Sequence, residues 1–449
     1  MKRFLMDMHP VKRLAGVTLL SLLVLALAVV WDNWGDMLWD PKAPTAPTPA
    51  STRSNEAQIE QGRYLALAGN CMACHTARGS VPLAGGRRIE TPFGGVYSSN
   101  LTPDPTTGLG QWSTDDFWQA LHHGKSRDGR LLNPAFPYTS YSAVTRADAD
   151  AMFAYLQSLT PQNQPNLGHQ MYWPFGTQAA LFTWRTLFFT PRDFQTDTKQ
   201  SADWNRGAYL VNALGHCSEC HTARNRLGAM QSAQALSGGL MPVQNWLAPS
   251  LLNSTAAGVE PGRLDETLQL LKTGHSARAT VSGPMALVVQ GGTQYLNDAD
   301  LRAMGVYLQS LTQAQVVSKP GVTSGVPALT ATRLTEATLT QAGALYKKHC
   351  AACHGPQGEG VAGAYPALAQ NRAVLAAYSG NLIQTVLHGG FAPVTQARPQ
   401  PYGMPPFVLT LTDAEIAQVL TYVRQSWGNL APALSESDVS QLRDRQASR

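Results

Sequence analysis

Six cysteines occur in this 449-residue chain, and all six fall in Cys-x-x-Cys pairs followed at once by histidine. They are Cys71, Cys74 and His75 in CMACH, Cys217, Cys220 and His221 in CSECH, and Cys350, Cys353 and His354 in CAACH. Two cysteines three apart can present both sulfurs on one face of a turn, with the next imidazole placed to ligate a metal. Such a pair can add to the two vinyl groups of a haem and set the histidine beneath its iron, which fixes the cofactor permanently. Zinc sites and thioredoxin-like dithiols also use Cys-x-x-Cys. Zinc needs four converging ligands, however, and these pairs lie far apart with a histidine each. The expectation is therefore three covalently bound haem c groups, with no thiol left over for a structural disulfide.

A second axial ligand has to come from downstream, and methionine serves when the iron is to be saturated at high potential. Met285 in SGPMALVV and Met404 in PYGMPPF follow the second and third motifs, each beside a proline in a segment that reads as a loop. A lone methionine is more often core filler, but this placement marks both as ligand candidates. Catalytic residues are not expected. GGTQ at 291–294 lacks the strand-turn-helix context of a dinucleotide site, and the chain has no HExxH, no GxSxG and no defensible carboxylate pair.

The elements that must position these groups recur with them. GRYLALAGN, GAYLVNALGH and GALYKKH precede the motifs, each a glycine with an apolar or aromatic pair that reads as a short helix. Thr145 to Asp148, Asn297 to Asp300 and Thr412 to Glu415 read as capped helix starts, followed seven residues later by Tyr155, Tyr307 and Tyr422. Each closing helix is expected to pack its aromatic face on the helix before the motif. Glycine- and proline-rich sequence between them predicts a mainly α fold of helical shells wrapped by loops. The boundaries read as domains over 55–161, 201–312 and 334–430, an aromatic connector over 162–200, a linker over 313–333 and a polar tail over 431–449. The connector is too aromatic for solvent and is expected to be buried on a neighbouring domain, a partner subunit or the membrane surface.

A formal charge of +5 is too dilute for a nucleic-acid partner, and 44% hydrophobic residues exclude a disordered chain. Leu14 to Trp31 is an uncharged apolar run behind Lys2, Arg3, Lys12 and Arg13, with Trp31, Trp34 and Trp39 following. Residues 1–33 thus read as a signal or transmembrane helix that leaves the rest on the periplasmic side of a cytoplasmic membrane. Ala26-Leu27-Ala28 fits the alternative of cleavage, and residues 41–54 read as a proline-rich linker.

At larger scale the sequence resembles the tri-haem cytochrome c subunits of bacterial membrane-bound dehydrogenases for alcohols, aldehydes, gluconate and related sugar acids. The resemblance rests on TPFGGVYSSNLTPDPTTGLGQWS from Thr91, NPAFPYTSY from Asn133, DWNRGAYLVNALGHCSECHTARN from Asp203 and SGPMALVVQGGTQYLNDADLRAMGVYL from Ser282. It implies three tandem class I cytochrome c-like domains that act as a wire, with no catalysis of their own. It also implies a dehydrogenase catalytic subunit of flavin, PQQ or molybdenum type as electron donor, and ubiquinone or a terminal oxidase as acceptor. Two departures stand out. The family's first-domain ligand belongs in a PAMPY-like segment, where this chain has Phe136. Met72 and Met152 are poorly placed to replace it, so an open sixth site is expected there, with His122 or His123 as the substitute. The second domain also has AGVEPGRLDETLQLL where the first has its GLGQWS loop.

Overall fold

The computed structural model describes residues 56–241, 243–318, 335–400 and 402–447. The expected signal or anchor helix, the proline-rich linker and most of the 313–333 linker lie outside the described residues. No helix among the described residues is long and apolar enough to cross a membrane.

Three motif-bearing helical units follow one another. The first holds α1 (Glu56–Ala68), α2 (Cys71–His75), β1 (Arg88–Thr91), β2 (Gly94–Tyr97), α3 (Thr114–His123), α4 (Tyr138–Tyr141) and α5 (Arg146–Gln157). A connector with β3 (Gln170–Met171) and α6 (Gln178–Phe188) leads to the second unit. That unit holds α7 (Ala202–Tyr209), α8 (Ser218–His221), β4 (Gly239–Met241), β5 (Trp246–Ala248), α9 (Leu264–Thr273), α10 (Pro284–Gly291) and α11 (Asp298–Ser318). The third holds α12 (Glu336–His349), α13 (Ala351–His354), α14 (Arg372–Leu375), α15 (Gly380–His388), β6 (Gly390–Phe391), β7 (Gly403–Met404), α16 (Asp413–Gln425) and α17 (Glu436–Ala447). The few strands form short antiparallel pairs, with β3 added to the edge of β2.

The closing helices begin where their caps dictate. Thr145 Oγ1 accepts from the Asp148 amide at 3.2 Å, Asn297 Oδ1 from Asp300 at 2.8 Å and Thr412 Oγ1 from Glu415 at 3.2 Å. Each then crosses its opening helix at a glycine. A Cβ on Gly62 would lie 1.8 Å from the Ala151 carbonyl oxygen, and one on Gly207 would lie 2.0 Å from that of Ala303. Backbones can approach this closely only where one partner lacks a side chain.

The first two units share one core, which runs from Leu65 and Phe153 through Leu210, Val211 and Leu214 to Met304 and Leu308. They also exchange equivalent contacts. Tyr64 of α1 donates to Asp300 at the start of α11 at 2.7 Å, and Tyr209 of α7 donates to Asp148 near the start of α5 at 2.6 Å. The third unit joins through polar groups instead. Asn381 accepts from the Leu247 amide and donates to the Leu247 carbonyl, both at 2.8 Å, completing one edge of β5 as a strand would.

Two segments depart from the sequence expectation. The connector is only partly covered: Phe189 meets Tyr138 at 4.8 Å and Phe194 meets Tyr209 at 5.2 Å, but Trp173 is 86% exposed and Tyr172 66%. Its aromatics split between inward contacts and a local cluster in which Phe175 lies on Phe93, and within this chain the connector is buried only in part. The tail read as polar contains α17, which docks on the third unit through buried Val439 and Leu442. Arg443 anchors it to Asp413 at 2.6 Å. Two apolar residues three apart are too few to register as an amphipathic face.

Candidate functional site

Each motif forms one helical turn after its opening helix, reached in the second unit through a π-helical turn at Leu210–Leu214, and each histidine is held the same way. His75 Nδ1 lies 2.7 Å from the Ser99 carbonyl oxygen, His221 Nδ1 2.7 Å from that of Pro249, and His354 Nδ1 2.9 Å from that of Pro366. A carbonyl only accepts, so Nδ1 carries the proton and Nε2 keeps its lone pair for a metal. Burial lowers the pKa of all three imidazoles, against the carbonyl contact that favours the cation, and this keeps them neutral.

The cysteines match covalent attachment better than zinc. Burial pushes Cys71 and Cys217 up to about 12 and Cys350 up to about 11, and raises Cys74 and Cys220 as well. Burial thus favours the neutral thiol at these five cysteines. Among the described residues, no three His, Cys, Asp or Glu side chains gather in a way that can hold a metal ion. The donor set is thus two thiols and one neutral imidazole per motif, which fits a haem c held by two thioethers and an axial histidine.

A connected cavity of about 3140 Å³ brings Cys71, Cys74, His75 and Phe136 to one lining, and it continues to Cys220 of the second motif. Ordinary ligand pockets span about 300–1,000 Å³, so this space suits large planar groups. His122 and His123 do not line it. His122 instead stacks on Trp118 at 4.5 Å, with His123 edge-on at 4.6 Å, so neither expected substitute stands on the lining that holds His75.

Met285 and Met404 lie in regular elements rather than loops. Met285 is in the first turn of α10, and the adjacent Gly283 packs on Trp246 of β5, the strand that leads to the Pro249 acceptor of His221. Met404 lies in β7 opposite Gly390. Tyr402, next to that strand, meets Tyr365 at 5.5 Å, and Tyr365 stands 6.5 Å from His354. The strands are two residues long and the helix turn starts at a proline, too little for periodicity to reveal.

Sequence reasoning missed Glu219, the second of the two residues between the cysteines of the second motif. Its carboxylate accepts from Thr139 at 2.8 Å, Ser140 at 3.0 Å and Arg224 at 2.5 Å, and its side chain is 11% exposed. It therefore stitches the second motif to α4 of the first unit. Nothing in a lone x position of Cys-x-x-Cys-His signals a contact of such sequence separation.

Comparison with known proteins agrees with this geometry. A cytochrome c profile matches residues 59–160 and 340–427. The alcohol dehydrogenase (quinone) cytochrome c subunit of Gluconacetobacter polyoxogenes is 37% identical over 404 residues, covering 88% of this chain and 86% of that one. The fructose dehydrogenase cytochrome subunit of Gluconobacter japonicus is 36% identical, covering 89% and 85%. The gluconate 2-dehydrogenase cytochrome c subunit of Pantoea cypripedii is 36% identical, covering 88% and 91%. With its cysteine pairs, its oriented imidazoles and its near full-length relatives, the chain belongs to the family of cytochrome c subunits of bacterial dehydrogenases.

Proposed function

We propose that the chain is a non-catalytic electron-transfer subunit with three covalently bound haem c groups. In this reading it takes electrons from a dehydrogenase catalytic subunit of flavin, PQQ or molybdenum type and passes them to ubiquinone or a terminal oxidase. It works on the periplasmic side of the cytoplasmic membrane. The middle unit lies outside the matched profile segments, so the count of three rests on geometry. The carrying observation is that His221 is oriented by a backbone carbonyl just as His75 and His354 are. By the same equivalence the middle unit is a cytochrome c domain like its neighbours.

When bound, each haem supplies a one-electron couple. The chain's residues fix its place and surroundings. The cysteines hold each group by thioethers at Cys71 and Cys74, Cys217 and Cys220, and Cys350 and Cys353, while His75, His221 and His354 present Nε2. Met285 and Met404 are the proposed second ligands of the second and third sites, where a thioether favours a high potential. Cys74 and Cys220 line the same cavity. The first two attachment sites are therefore neighbours, which supports transfer between them within the fused pair. The relatives serve alcohol, fructose and gluconate dehydrogenases, and a membrane dehydrogenase for an alcohol, aldehyde or sugar acid is accordingly the proposed donor.

The test is haem content per chain by pyridine haemochrome on protein matured in a haem-attaching host. Three are expected, and two after Cys217→Ser with Cys220→Ser. A native count of two would overturn the reading. Co-purification from solubilised membranes then identifies the dehydrogenase partner.

A further inference from the structure

We infer that the first site is an open one: its iron would have no protein donor opposite His75 and would bind a small neutral diatomic molecule, for which carbon monoxide is the probe. The inference rests on the reading above that a haem is attached at Cys71 and Cys74.

Three equivalent excursions carry the candidate ligand positions. Helices α3, α9 and α15 each end on a glycine of positive φ, Gly124 at 59°, Gly274 at 78° and Gly389 at 65°. A short antiparallel pairing follows each, Lys125 with Leu131, His275 with Thr280, and Gly390 with Met404. The chain returning from it delivers Phe136, Met285 and Met404, each next to a proline. At two of these positions the side chain offers a thioether, and at the first it offers only a hydrocarbon ring.

Three further donors near the first site, Met152, His169 and Met171, are accounted for, and His216 turns its Nε2 to the Gly69 carbonyl at 3.3 Å. Met152 lines the cavity, but it holds the same place on α5 that Met304 holds on α11, one residue beyond the alanine that meets the glycine of the opening helix. Both are buried, 4% and 3% exposed, and Met304 coexists with Met285, so this position is a core position. His169 Nδ1 accepts from the Tyr97 amide at 3.2 Å. Its Nε2 therefore carries the proton and has no lone pair to give. Met171 is fixed in β3 opposite Gly94 and rests against Gly176.

Hydrocarbon dominates the nearby lining. Phe136 sits 5.5 Å from Tyr141, and Leu109, Phe117 and Leu121 line the same cavity. Such walls favour a neutral ligand over an anion. Binding would be a lone-pair donation to ferrous iron, with no net oxidation and no proton released.

The experiment is a carbon monoxide titration of the dithionite-reduced holoprotein, read by difference spectrum, with haem content measured on the same sample. The expected result is three haems per chain, of which one is high-spin and binds carbon monoxide. Phe136→Met should abolish that binding and give a third low-spin spectrum, while Phe136→Leu should keep it. Three haems that are all low-spin and unreactive, as ligation by a residue such as Lys125 would make them, would overturn the inference and leave the three-haem function intact. A count of two with Cys71 and Cys74 unmodified would fail the underlying reading instead. Carbon monoxide binding that persists unchanged in Phe136→Met would also refute it.

Discussion

At the scale of single residues, Glu219 is the group whose chemistry reaches furthest. It is an almost fully buried carboxylate one residue before Cys220, and its partners come from two units: Thr139 and Ser140 from the first, Arg224 from its own. Arg224 offsets its charge, and Arg224 is fixed further by the carbonyls of Glu219 at 2.9 Å and Gly228 at 2.7 Å. A fixed anion beside a haem stabilises the ferric form, so on the proposed three-haem reading Glu219→Gln is expected to raise the midpoint potential of the second haem, with a smaller rise at the first and none at the third. Spectroelectrochemical titration checks this, and an unchanged second potential would refute it. Stability should fall by about 1–3 kcal/mol, because Arg224 is left beside a weaker acceptor. The candidate cysteines and histidines were legible because the proposed attachment needs them adjacent in sequence. Glu219 was not, since its partners on α4 are set by how two units meet.

At the scale of elements, the crossing of opening and closing helices sets each unit's geometry, and the three crossings are not equally tight. Cβ atoms on Gly62 and Gly207 would strike backbone, at 1.8 Å from Ala151 and 2.0 Å from Ala303. One on Gly343 would meet only the Tyr422 ring, at 3.3 Å. Backbone cannot rotate away as a side chain can. Gly62→Ala and Gly207→Ala should each therefore cost about 3 kcal/mol or more by forcing the helices apart, and Gly343→Ala about 1 kcal/mol or less. Thermal or denaturant unfolding of the three variants ranks them, and equal losses would contradict the argument. The sequence carried these helices well, because caps such as Thr412 with Glu415 act within one turn. It failed for α17, whose docking depends on Arg443 finding Asp413 and the Leu411 carbonyl of another helix's approach.

At the scale of the whole molecule, two junctions of different character hold the units. Between the first and second, Tyr64 and Tyr209 occupy equivalent places and reach reciprocally for Asp300 and Asp148, which makes the pair pseudo-symmetric. Asp300 also takes a bidentate pair from Arg206, at 2.8 and 2.7 Å. Burial would raise the Asp300 pKa, but the hydrogen bonds from Arg206 and Tyr64 and the charge of Arg206 outweigh it and leave the carboxyl below its ordinary value. A depressed folded pKa gives stability that is present above the unfolded value of about 3.9 and is lost as pH falls through the folded one. Unfolding measured from pH 7 to below 4 should show the wild type losing this increment on acidification. Asp300→Asn should start about 2–4 kcal/mol lower at pH 7 and show a shallower acid slope.

The second junction explains a departure that the sequence exposed but could not interpret. Gln157 donates to the Leu109 carbonyl in the GLGQWS loop at 2.8 Å, and Gln309 donates to the Glu260 carbonyl at 3.2 Å, so the second unit's substituted loop stands in the same place. There the Glu260 carboxylate receives Arg278 at 3.0 Å and, from the third unit, Arg372 at 3.2 Å. The Arg372 guanidinium also reaches the carbonyls of Ser254 and Gly258, and its own amide donates to the Arg278 carbonyl at 2.9 Å. The altered loop is thus the seat of the third unit. Arg372→Ala removes every side-chain contact that the third unit makes through Arg372 to this seat while leaving all three motifs intact. It should cost about 1–3 kcal/mol, discounted for the partial exposure of both charges. Haem content should stay unchanged while the third unit unfolds at a lower temperature than the fused pair and proteolysis begins between them. A single cooperative transition at the wild-type temperature would mean that Asn381 and Gln384, bonded to Leu247 and Asn245, hold the third unit without it.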